Sequence, residues 1–151
     1  MKDKMSIRRA NKLLTVACEL YPELKDRNIT ITQDSKGVFY ASVGTNRINI
    51  TDKVRPRKLR EKLIKYIYDT FKLSIDDVES FAVLHEIGHL YHKYMWYNDD
   101  AMNMYDLHKI NVDNDISYDN FNNYREIDYE FLEDSFAVDV IDRYYRITNK
   151  I

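Results

Sequence analysis

Apolar positions recur with a helical period through residues 5–20: Ile7, Ala10, Leu13, Leu14 and Ala17 fall on one side, and Pro22 stands just past the end. This spacing predicts an amphipathic helix. The pattern then changes to short alternating or β-rich runs at 28–33, 38–43 and 47–51, with Gly37 and Gly44 where turns would join them. Such a series predicts a small antiparallel three-stranded meander. Helical spacing returns after Pro56, through Leu59, Leu63, Ile67 and Phe71. A proline suits the opening of a helix, where its missing N–H is not needed.

Ser74 and Asp77 have the spacing of a capping box, with Asp where Glu or Gln is usual. They predict a third helix running to about Tyr94. Val78, Phe81 and Ala82 share one of its faces with His85, His89 and His92, while Val83, Ile87, Leu90 and Tyr94 line the other. A helix apolar on both sides is buried, so its histidines are interior groups that need partners. Residues 98–125 are rich in Asp and Asn and read as loop, with a short helix near 101–110; a last helix is predicted over about 126–146. The order of helix, small sheet and helices makes one α+β domain across 1–151.

Composition narrows the function classes. A chain of 151 residues has room for a single core. Mean hydropathy is -0.58 and no apolar run approaches the roughly 18 residues of a membrane span. A net charge of -2 gives no general attraction to nucleic acid. The basic run Lys53, Arg55, Arg57, Lys58 and Arg60 reads as a solvated helix face rather than a nucleic-acid contact. Asp113, Asn114, Asp115 and Asp119 lack the Gly and closing Glu of a calcium loop. A lone Cys18 excludes an intramolecular disulfide and a multi-cysteine metal module. With a charged N-terminus that has no apolar signal core, these features point to a cytoplasmic protein. Abundant Asn, Lys, Ile and Tyr beside scarce Gly and Pro suggest an AT-rich coding genome, such as that of a low-GC bacterium or its phage. No pattern specifies an oligomer.

The chemistry concentrates in His85-Glu-Ile-Gly-His89, an HExxH pattern inside a predicted helix. Residues four apart share a helical face, so two imidazole nitrogens can converge on one ion. Glu86, rotated about 100° from His85, can reach water at that ion without being a ligand. The bland alternative is a pair of core histidines bonded to neighbours. A metzincin extension would need a further Gly and His, and Met95 and its neighbours offer neither. His92 lies a turn beyond His89 and is expected behind the ligands or simply packed. The better third ligand is Glu130. It forms Glu-x-x-x-Asp with Asp134 among Ile127, Phe131, Ala137, Val138 and Ile141. Burying carboxylates in such a stripe is costly unless a cation or donors meet them. Zinc on Glu130, with Asp134 accepting the far N–H of a ligating histidine, meets both needs. The competing reading is a surface acidic patch including Glu126 and Glu133; on the metal reading these two are bystanders.

The segments Phe81-Ala-Val-Leu-His-Glu-Ile-Gly-His-Leu90 and Glu130-x-x-x-Asp-Ser-Phe-Ala137 resemble the paired motifs of the ImmA/IrrE-like zinc metallopeptidases, within the broader gluzincins. The resemblance covers roughly 28–51, 78–92 and 126–141. It implies a zincin-like fold, zinc held by His85, His89 and Glu130, and Glu86 as general base. It also suggests a regulatory protease of bacteria or mobile elements, often directed at DNA-binding repressors. The chain departs from the pattern at Glu133, where a small residue is usual, at Asp139 to Arg143, which lack the apolar ending, in the extra helix at 57–73, and at His92, one position early. The substrate therefore does not carry over.

Two His and one Glu leave a zinc position open, as catalytic sites do. Tyr124, Tyr129, Tyr144, Tyr145 and His108 are candidate oxyanion donors. In zincins generally an edge strand pairs with an extended substrate, and by order Arg47, Ile48, Asn49, Ile50 and Thr51 form the candidate edge. The expected function is a zinc-dependent endopeptidase acting on a protein or peptide substrate. The alternative is a non-catalytic, zinc-stabilised binding or structural protein on the same scaffold, for instance one encoded by a phage. An intact Glu86 favours the enzyme, because a structural site has no use for that carboxylate.

Overall fold

A computed structural model describes residues 4–34, 37–92 and 128–148. Helix α1, Ile7–Leu20, starts where the Ser6 hydroxyl accepts the Arg9 N–H at 3.1 Å, and it buries Ala10 and Ala17. Pro22–Arg27 forms a 3-10 turn, followed by strands β1 (Thr30–Asp34), β2 (Tyr40–Ser42) and β3 (Arg47–Thr51). Helices α2 (Arg57–Phe71), α3 (Val78–Tyr91) and α4 (Asp128–Thr148) complete the described fold. The predicted short helix near 101–110 and the acidic segment 113–119 lie outside the described residues. Among the described residues no helix is long and apolar enough to cross a membrane.

The sheet is α+β in context, as expected, but it is not an antiparallel meander. Its order is β1-β3-β2, with β1 parallel to β3 (Ile31 opposite Ile48) and β2 antiparallel to it (Ala41 opposite Ile48). Residues 35–46, which carry β2, supply the dozen or so residues that a parallel connection requires. Strand β3 takes the centre because both of its faces are buried. Ile48 and Ile50 enter the core on one side, and Asn49 and Thr51 are buried on the other. Asn49 is satisfied there: it accepts from the Thr32 hydroxyl at 3.2 Å and donates to the Val38 and Ile50 carbonyls at 3.4 and 3.3 Å. Arg47, Ile48, Asn49, Ile50 and Thr51 thus form the central strand, the first three paired on both sides and Ile50 and Thr51 with β1, and not a substrate-binding edge.

Helix α3 also starts differently from the reading above. Its cap is Asp77, which accepts the Ser80 N–H at 3.0 Å, so the box begins at Asp77 and Ser74 stays outside it. Every residue from Val78 to Leu90 except Ser80 is buried, as the two-sided apolar pattern requires. Both ends are held by arginines. At the first turn the fully buried Glu79 pairs with Arg55 at 2.7 Å and with Arg60. At the last turn Arg27 donates to the Leu90 and Tyr91 carbonyls at 3.1 and 3.2 Å, where a cation complements the helix dipole. Arg55 and Arg60 therefore belong to an interior clamp rather than to a solvated basic face, although Arg57 and Lys58 remain exposed.

Helix α4 lies along α3 over the most extensive helix–helix contact in the described fold. It turns Glu130, Glu133, Asp134, Phe136, Ala137, Val140 and Ile141 inward. Phe131, expected in that stripe, is 43% exposed and stacks instead on Phe71 of α2. Gly88 permits the close approach: a Cβ there would lie 2.6 Å from Glu133 Oε1 and 3.1 Å from the Phe136 ring.

Candidate metal centre

His85 and His89, one turn apart on α3, present their rings nearly perpendicular with centroids 5.0 Å apart. Glu130 reaches both from α4. Its Oε2 lies 2.7 Å from His85 Nε2 and its Oε1 lies 3.1 Å from His89 Nε2. One turn further along α4, Asp134 Oδ1 stands 2.8 Å from His85 Nδ1. The other Asp134 oxygen accepts from the Tyr66 hydroxyl of α2 at 2.8 Å. Three helices therefore meet at one cluster, in which His85, His89, Glu130 and Asp134 are buried and Tyr66 is half-buried. Glu86, 8% exposed, stands beside it on α3.

The electrostatics of the cluster follow from its burial and its charges. Burial pulls the His85 imidazole down, but the Glu130 and Asp134 carboxylates overcome this and hold it well above its ordinary value of 6.5. His89 is likewise pulled down by burial and raised beyond that by Glu130, Glu133 and Glu86. Burial pushes Glu130 up, yet His89 and His85 hold it well below 4.5. Both ring nitrogens of His85 face carboxylate oxygens, whereas a neutral imidazole carries a single N–H. Either a buried imidazolium forms or a cation stands at Nε2. With a cation there, a neutral His85 would serve Asp134 through Nδ1–H and leave Nε2 to the ion.

His85, His89 and Glu130 offer ligand atoms that all lie within 4.8 Å of one another, and this buried group could hold a metal ion. Its donor set, two imidazole nitrogens and one carboxylate oxygen, suits zinc and neighbouring transition metals.

The other expected site residues divide. Glu133 is not part of a surface patch: it is fully buried, with Oε1 2.6 Å from His92 Nδ1. Here the surface reading fails because α4 turns position 133 onto Gly88, which has no side chain to exclude it. Glu126, Tyr124 and His108 lie outside the described residues, as do the side chains of Tyr129 and Tyr145. Tyr144 stands about 21 Å along the axis of α4 from Glu130, at 1.5 Å per residue, too far to serve that centre. Tyr66 is a contributor that sequence reasoning missed. Its helical period marked α2 as amphipathic, but nothing local says which neighbour its hydroxyl meets. No protein-family model, curated protein or solved structure matches the chain.

Proposed function

We propose that the chain is a zinc-dependent endopeptidase of zincin-like fold, with His85, His89 and Glu130 as zinc ligands. The observation that carries this reading is the convergence of two imidazoles from one buried helix and a carboxylate from another, with the acid of HExxH beside them. Zinc bound there would lower the pKa of water and polarise a scissile carbonyl. Glu86 accepts the proton of the attacking water and delivers it to the departing amine as the peptide C–N bond breaks. Its burial at 8% exposure limits the access of competing solvent. Asp134 fixes the tautomer of His85 by accepting Nδ1–H, and Tyr66 in turn holds Asp134.

The resemblance to ImmA/IrrE-like metallopeptidases supports the same assignment and suggests a protein substrate, such as a regulatory protein of a bacterium or phage. An extended substrate pairs with an outer strand of a sheet. With β3 central among the described strands, β2 (Tyr40–Ser42) is an outer strand packed against α3, and we assign it that role.

The test combines elemental analysis with a peptide-library digestion read by mass spectrometry, on wild type and Glu86→Gln. Both proteins should carry stoichiometric zinc, and only wild type should cleave. Absence of any transition metal from protein made with ample zinc would return His85 and His89 to core histidines. Equal cleavage by Glu86→Gln would refute the base. Zinc without cleavage in wild type would favour the zinc-stabilised binding protein.

A further inference from the structure

The proposed chemistry leaves one deeply buried carboxylate unused. Glu133 has no side-chain exposure, yet its Oε2 has no hydrogen-bond partner among the described residues. A buried carboxylate oxygen left in that state is costly, so its surroundings need an explanation. Oε2 is aimed at the ring of His89, 3.6 Å from Nδ1. Oε1 is engaged on the other side by His92. The Nδ1 of His92 lies 2.6 Å from Glu133 Oε1 and 3.1 Å from the Gly88 carbonyl. The carbonyl can only accept, so that nitrogen carries the proton and donates to both oxygens.

His89 thereby repeats the arrangement of His85. Each ring turns Nε2 toward Glu130 and Nδ1 toward a carboxylate of its own, Asp134 for His85 and Glu133 for His89. The two carboxylates are neighbours on α4, and Gly88 makes room for the second, since any Cβ there would stand 2.6 Å from Glu133 Oε1. The 3.6 Å gap exceeds an N–H···O bond by roughly half an ångström. The soft torsion between Cβ and the imidazole ring can close it.

We propose that Glu133 is a positioning residue for His89: it accepts the Nδ1–H of that ring when Nε2 binds the ion, while His92 holds the carboxylate from its far side. This rests on the metal centre described above but not on the peptidase chemistry, so it can be tested without a substrate. Zinc affinity is measured by competition with a chromogenic chelator for wild type, Glu133→Ala and Glu133→Gln. Ring-nitrogen NMR of the zinc-loaded proteins, labelled in histidine, reports the tautomer of His89. Glu133→Ala should bind zinc about 10–100-fold more weakly. Glu133→Gln keeps the shape but offers one accepting oxygen to two N–H donors, so it should recover part of the loss, and it serves if the truncated variant misfolds. In wild type, His89 should bind through Nε2 with a protected Nδ1–H, and that proton should exchange faster in Glu133→Ala. A merely structural glutamate would leave the exchange of this proton unchanged. Unaltered affinity in both variants, or ligation through His89 Nδ1, would overturn the proposal while leaving the metal centre standing. A wild-type protein that binds no zinc would overturn both.

Discussion

Gly88→Ala sets two effects of known size against each other. In an exposed helix interior, alanine is better than glycine by about 0.8–1.0 kcal/mol. At position 88 the added methyl would stand 2.6 Å from Glu133 Oε1 and 3.1 and 3.2 Å from two atoms of the Phe136 ring. The ring has nowhere to retreat: Phe136 is 3% exposed, with Tyr21 at 4.7 Å and Tyr91 at 5.4 Å between centroids. Overpacking of this kind costs about 1–3 kcal/mol, and displacing a buried carboxylate from its donor places the cost toward the upper end. The intrusion outweighs the propensity gain, leaving a net loss of about 1–2 kcal/mol. Urea denaturation of the chelated protein measures it as a lower midpoint at unchanged slope. Gly44→Ala is the control, since no heavy atom lies within 4 Å of its added methyl. In a Glu133→Ala background the Gly88→Ala penalty should shrink, which a double-mutant cycle detects. A Gly88→Ala protein as stable as wild type would refute the close approach of α3 and α4.

Four further outcomes rest on the same geometry. Asp134→Ala should weaken metal binding about 10–100-fold, and Tyr66→Phe by less, because the hydroxyl acts through Asp134; equal losses in the chelator assay would contradict that order. Glu79→Ala removes the carboxylate that two guanidiniums share and should cost about 3 kcal/mol in urea unfolding, the low end for a broken buried pair, because Arg55 and Arg60 keep 23% and 16% exposure and Arg60 keeps the Asp76 carbonyl; a negligible change would dismiss the clamp. In metal-free protein the raised His85 and His89 contribute stability that is complete below 6.5 and disappears as pH climbs through their raised values. The lowered Glu130 contributes above 4.5 and loses that as pH falls through its own value, so thermal melts of this form should peak inside the 4.5–6.5 window. Zinc needs neutral imidazoles, so its binding should release protons; calorimetry in buffers of different ionisation enthalpy that finds none would contradict the charge assignment.

Periodicity made most helices legible. The apolar spacing located α1, α2 and α3 to within a few residues, because each helix buries a continuous stripe that recurs with the turn. The ends were less secure: Ser74 and Asp77 both carry capping side chains, and the folded chain uses Asp77. The sheet was misread for a related reason. Alternation marks a strand but names no partner. Glycines at the joints suggested neighbours in sequence, whereas β3 sits at the centre because both of its faces find cover.

At the site, the chain alone determined that His85 and His89 share a face, since four residues nearly complete a turn. It also determined that Glu130 and Asp134 do so, and that such groups on apolar helices require partners. Which partners they meet was decided by how α3 and α4 cross. That crossing brought Glu130 between two imidazoles and turned Glu133 from an expected surface acid into a buried neighbour of His92, while the packing of α2 set Tyr66 behind Asp134. Local spacing is governed by backbone geometry that each segment carries within itself. Contacts between segments depend on how volumes fit, and at Gly88 the absence of a single methyl group admits the carboxylate of Glu133.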